Sequence, residues 1–115
     1  MTRRDETIRL RHMLDYAHTV RRLAEGHQRA DLEHDEKLRL ALVRAVEVIG
    51  EAAVRVPESM QQSHPEVPWR QIIGTRHRLI HGYDQVDLDL LWRISTDDMP
   101  PLIDQLTAIL SAQDG

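Results

Sequence analysis

Leu38, Leu42, Ala45, Ile49, Ala52 and Val56 follow one another at steps of four, three, four, three and four. That spacing lines one side of an α-helix and has no counterpart in a strand, whose side chains alternate between faces at every residue. Ala41, Val46 and Ala53 widen the stripe, so the helix must pack against more than one neighbour. It opens near Asp35, where acidic residues favour a helix N-terminus, and runs to Val56 before Pro57 stops it. At about 1.5 Å per residue it is roughly 30 Å long, enough to span a small domain and to serve as the central helix of a bundle.

The flanking sequence supplies the partners. Between Asp5 and Glu25 the residues Leu10, Met13, Leu14, Ala17, Val20 and Ala24 recur at helical spacing, and Gly26 ends this first helix by offering a left-handed turn. His27 to His34 is polar enough to be a connection. Residues 57 to 68 hold three prolines and read as a loop with room for one helical turn. Pro68 then opens a third helix with Trp69, Ile72, Ile73, Leu79 and Ile80 on its apolar side and Gly82 as its terminator. Asp87 is placed to cap a fourth, carrying Leu88, Leu91 and Trp92 inward. Pro100 and Pro101 require the pattern to break or restart around Ser95 to Asp98, after which Leu102, Ile103, Leu106, Ile109 and Leu110 mark a last helix. The expected fold is all-α, an up-and-down bundle of four to five helices in one domain spanning 1–115.

Composition narrows the function. Fifteen basic and nineteen acidic side chains leave a net charge of -4, a poor overall field for coating a polyanion, although screening lets a local basic patch act alone. There is no cysteine, which excludes disulfides and thiolate metal sites and fits a cytoplasmic protein. No targeting segment or membrane span is expected. With two Trp, two Tyr and no Phe, the core must be built of aliphatic residues, as suits packed helices.

The residues that carry chemistry lie between Trp69 and Trp92, in WRQIIGTRHRLIHGYDQVDLDLLW. Arg76, His81 and Tyr83 form an Arg-x4-His-x-Tyr pattern. Around it stand VIGEAA (Val48 to Ala53), PEVPWRQIIG (Pro65 to Gly74), VDLDLLW and DDMPPLI. On these residues the chain, from about Asp35 to Leu110, resembles the HepT-like toxins of the HEPN superfamily. His77 stands where members of that family commonly carry Asn.

The resemblance implies a symmetric homodimer and a metal-independent endoribonuclease that needs no cofactor, the toxin of a toxin–antitoxin pair. Side-chain chemistry agrees with that activity. Cutting RNA through its own 2′-hydroxyl needs a group that moves a proton near neutral pH and a group that balances charge building on phosphate. An imidazole titrates near 6.5 and a guanidinium forks onto phosphate, which makes His81 and Arg76 the expected catalytic pair. Residues five apart on a regular helix point about 140° from one another. Either the helix is distorted before Gly82 or two copies meet in a shared cleft, and the dimer is the preferred solution. Arg70, His77 and Arg78 would then double across the twofold axis as RNA-binding or phosphate-binding residues. The resemblance further implies that Tyr83 accepts adenylate from a MntA-like minimal nucleotidyltransferase acting as antitoxin, an anionic adduct that would pair with the arginines and block the groove.

Other constellations weigh less. His77 and His81 are four apart, but Arg78 stands where a zinc protease motif needs glutamate, so no metal site is expected. Asp87, Asp89, Asp97 and Asp98 are read as helix caps and not as metal ligands. Glu47 and Glu51 receive no catalytic role, Glu51 being placed to pair with Arg55 one turn on. Two rival functions keep the same fold: a non-catalytic subunit that binds RNA or nucleotide for a nucleotidyltransferase, and a dimerising adaptor without chemistry.

Overall fold

A computed structural model describes residues 3–82 and 85–114. The chain is all-α, as its periodicity predicts. Helix α1 (Arg3–Ala24) leads through Gly26, whose φ of 79° is the left-handed turn expected there, to the short α2 (Asp31–His34) and the long α3 (Glu36–Val54). Then come α4 (Glu58–Ser63), α5 (Trp69–Ile73), α6 (Thr75–Leu79), α7 (Leu88–Arg93), a π-helical segment (Ile94–Asp98) and α8 (Met99–Asp114). No helix among the described residues is long and apolar enough to cross a membrane.

Helix α3 is central. Its Asp35 N-cap accepts the Leu38 amide at 3.0 Å, and Leu38, Leu42, Val43, Ala45, Val46, Ile49, Ala52 and Ala53 are buried. One side of it packs on α1, whose Leu10, Met13, Ala17 and Val20 have no exposed surface, and another on α5 and α6. Helix α8 closes the bundle against α1 through Leu102, Leu106, Ile109 and Leu110. Burying an aliphatic side chain in such a core is worth about 1.5–3 kcal/mol, so the stripe on α3 alone outweighs any surface interaction described below.

Three local departures from the sequence reading have physical causes. The expected connection at His27 to His34 includes α2, because Asp31 accepts the Gln28 amide at 2.8 Å and Leu32 is fully buried. The third helix is not continuous to Gly82. It divides at Gly74 into α5 and α6 and stops at Leu79, since Ile80 is extended (φ -106°, ψ 116°) and forms an antiparallel bridge with Val86. Near Ser95 to Asp98, where a break was expected, the helix instead widens. The π turn carries the chain from α7 into α8 without interruption, and the buried Ser95 donates its hydroxyl to the Leu91 carbonyl at 2.8 Å. Helix capping therefore explains Asp87, which accepts the Leu90 amide at 3.0 Å, but not Asp97 and Asp98, which lie inside a continuous helix.

Candidate active site

The break at Leu79 decides where the motif side chains go. Arg76 lies in α6 and leans on the central helix, its Nε 3.4 Å from Glu47 Oε2. Glu47 is mostly covered, whereas Arg76 is 73% exposed, so a carboxylate on α3 steadies a guanidinium that still opens to solvent. His81 lies beyond the helix, in a clasp. Its amide donates to the Gln85 carbonyl at 2.7 Å, the Asp87 amide donates to the Leu79 carbonyl at 2.8 Å, and Gly82 turns the chain with a φ of 71°.

The exposed His81 imidazole borders an open groove of about 590 Å³ lined also by Glu33, Arg39, Gln85, Val86, Asp87 and Leu88. Arg39 enters it from the first turns of α3 and donates to the Leu32 carbonyl at 2.8 Å. The groove's acids are engaged. Glu33 receives Arg29 at 2.9 Å, and Asp87 caps α7. Arg29 also meets Asp89 at 2.6 Å, tying the start of α7 to the α1–α2 connection beside the groove, and these two partners raise its already high pKa.

Among the described residues no hydrogen bond or ion pair joins Arg76 to His81. Both lie alongside α3, Arg76 at Glu47 and His81 near Arg39. Those two α3 positions are separated by eight residues, about 12 Å along the helix axis. Arg78 turns elsewhere and donates to the Gln71 carbonyl at 3.0 Å, satisfying the end of α5 at the Gly74 break. It borders a cavity of about 130 Å³ against Met99 and Leu102. Arg70 and His77 are exposed on α5 and α6. Tyr83, the expected adenylation position, lies outside the described residues. Among the described residues no group of three or more His, Asp or Glu gathers as a metal site would require.

Comparison with known proteins settles the family, since the sequence profile described as Ribonuclease HepT-like matches residues 13–109. The chain belongs to the ribonuclease HepT-like family. It is similar to a probable ribonuclease HepT of Thermococcus cleftensis, 43% identical over 59% of this chain and 62% of that protein, less than two thirds of its length. It is also similar to a candidate RNase of Methanocaldococcus jannaschii, 32% identical over 89% of this chain and 94% of the relative. A third, from Caldanaerobacter subterraneus subsp. tengcongensis, is 33% identical over 90% of this chain and 93% of its own. No solved structure matches.

Within this ribonuclease HepT-like chain, two site-lining residues escaped the sequence reading. The sequence assigns Glu47 no role, yet it is the group that meets Arg76. Its position on the outward row of α3, with Leu40, Arg44, Glu51 and Val54, was a readable signal, but nothing in the sequence said that α6 would lie across that row. Arg39 had no signal, because it reaches the His81 groove only through the clasp. Glu51 meets Arg44 at 3.1 Å and not Arg55 as expected.

Proposed function

We propose that this ribonuclease HepT-like protein is a metal-independent endoribonuclease in which Arg76 and His81 carry the cleavage, and that it acts as the toxin of a toxin–antitoxin pair in the cytoplasm. The observation that carries the reading is the placement of the two groups within a family match covering most of the chain: an exposed guanidinium steadied by Glu47 and an exposed imidazole held by a backbone clasp. His81 takes the proton of a ribose 2′-hydroxyl, whose oxygen attacks the neighbouring phosphorus as the bond to the 5′-oxygen breaks. A second proton donor returns a proton to the leaving oxygen, giving a 2′,3′-cyclic phosphate and a free 5′-hydroxyl. Arg76 balances the charge on the phosphoryl oxygens, and Arg70 and His77 are assigned to binding the strand, with Arg78 joining them only on release from the Gln71 carbonyl.

The chain works as a homodimer in this proposal. Support comes from the outward row of α3, where Leu40 is 60% and Val54 58% exposed on the same face as Glu47 and its partner Arg76. A second copy on that face would cover both apolar side chains and bring a second set of Arg76 and His81 nearby. Tyr83 follows His81 by two residues in the sequence, so adenylation there by a MntA-like nucleotidyltransferase antitoxin would add an anionic group close along the chain to His81. That no hydrogen bond or ion pair joins Arg76 to His81 among the described residues also favours a second reading, a subunit that binds RNA or nucleotide for a nucleotidyltransferase without cutting.

RNA cleavage in chelator separates the two. The wild type cuts, and Arg76→Ala and His81→Ala do not. Wild-type protein that binds RNA and leaves it intact belongs to the second reading. Intact mass after co-expression with the nucleotidyltransferase tests Tyr83, and an unmodified chain removes the regulatory part.

A further inference from the structure

Arg9, His12 and Tyr16 stand at i, i+3 and i+7 on α1 and therefore share one face. That face meets α3 at Val48, Glu51, Ala52 and Arg55, and the two helices leave between them an open groove of about 380 Å³. Among the described residues, Arg9, His12, Tyr16 and Arg55 make no side-chain hydrogen bond or ion pair. Glu51, the one acid in the groove wall, is held by Arg44 at 3.1 Å. Two unpaired guanidiniums and an imidazole thus gather around a tyrosine that is 39% exposed, on a chain whose net charge is -4.

Ordinary helix electrostatics do not account for this gathering. Arg55 is the C-cap of α3 and would sit there for the helix dipole alone, but Arg9 and His12 lie in the middle of α1, well away from its C-terminus. Position gives the groove a purpose. Glu51 is one helical turn, about 6 Å, from Glu47, the carboxylate that holds Arg76. Glu51 also belongs to the outward α3 row, so in the proposed dimer the groove would flank the shared cleft, and a strand whose scissile phosphate rests at Arg76 would reach it with its neighbouring nucleotides.

We infer that the α1–α3 groove is a second contact site for single-stranded RNA, in which Arg9, Arg55 and His12 hold phosphates beside the cleaved one and Tyr16 stacks on a base. The inference rests on the endoribonuclease reading and extends its substrate path. Unpaired cations around an exposed ring are what a sequence-tolerant single-strand site requires, phosphate attraction giving affinity and stacking giving register.

The test uses full-length protein carrying His81→Ala, which preserves the RNA, and a labelled oligouridine titrated over a salt series by fluorescence anisotropy. Adding Arg9→Ala and Arg55→Ala together should weaken binding at least tenfold and reduce the salt slope by about 1.4, near 0.7 for each lost phosphate contact. Tyr16→Ala should weaken it roughly tenfold with the slope unchanged. Arg9→Lys with Arg55→Lys should keep the wild-type slope. Arg93→Ala, an exposed cation that does not line the groove, serves as the charge control. Unchanged affinity in the double variant overturns the inference, as does an equal loss in the control or an affinity for acidic peptide with none for RNA. Cleavage by the unmutated protein reports separately on the endoribonuclease reading, so a protein that cuts RNA while its double variant binds normally loses only the groove.

Discussion

The amide of Asp87 donates to the carbonyl of Leu79 at 2.8 Å, and the carboxylate of the same Asp87 caps α7 through the Leu90 amide at 3.0 Å. One residue thus closes the His81 clasp with its backbone and starts the next helix with its side chain. Replacing it with alanine keeps the first bond and loses the second. Asp87→Ala should cost about 1 kcal/mol, seen as a fall of several degrees in Tm, while Asp87→Asn should retain most of the stability.

Gly82 tests the clasp at its turn. Its φ of 71° is left-handed, and a Cβ added there would meet nothing within 4 Å, so the penalty is one of backbone alone. Gly82→Ala should lower stability by about 1–2 kcal/mol in a denaturant titration. Gly82→Asn should lower it less, because Asn tolerates that conformation.

At Gly50 the constraint is space. A Cβ built there comes 3.1 Å from the Ile72 carbonyl oxygen, so α5 would have to give by a few tenths of an ångström to admit a methyl group. Gly50→Ala is expected to push α5 outward and to destabilise by about 1–3 kcal/mol, the cost of overpacking, despite alanine's better helix propensity. A denaturation midpoint equal to or above the wild type would show that α5 yields freely.

Glu47 and Arg76 separate stability from function. The guanidinium is 73% exposed, so solvent screening holds the pair to well under about 1 kcal/mol and Glu47→Gln should leave Tm nearly unchanged. In the proposed mechanism the same change frees Arg76 from its position and should reduce kcat/KM for RNA by about tenfold, an effect of about 1.4 kcal/mol on the barrier. A variant with full activity would show that Arg76 does not depend on Glu47.

Asp31 gives a pH dependence with a definite sign. The Gln28 amide, with a further contribution from His27, holds its carboxyl below the usual carboxylate value. A group whose pKa is lowered by folding stabilises the protein above its unfolded value, near 3.9, and that contribution disappears as pH falls through the folded value. The Tm difference between wild type and Asp31→Asn should therefore be present at neutral pH and shrink steadily below about pH 4. A difference that grows with acid would reverse the assignment.

The long helices were legible because periodicity records burial: the four-three stripe of α3 and, on α1, Leu10, Met13, Ala17, Val20 and Ala24 are buried, with Leu14 half-buried at the edge of the core. The caps at Asp35 and Asp87 and the left-handed Gly26 were legible because each is local chemistry. What escaped was set by tertiary packing. Leu79 and Ile80 continue a helical pattern, yet Ile80 is drawn into a bridge by Val86, six residues away, and no window of helical spacing contains that competition. The prolines at 100 and 101 signalled an irregularity at the correct place. They did not reveal its kind, because a widened turn and a break make the same demand on the sequence.

The clasp also bears on how such a protein can vary. The bonds that fix the His81 backbone close at Gln85 and, outside it, between Leu79 and Asp87, so the imidazole inherits its place from residues on both sides of the tip. Changes in the bundle core can therefore accumulate without displacing the proton-transfer group, provided that the two backbone closures and the left-handed turn at Gly82 are kept.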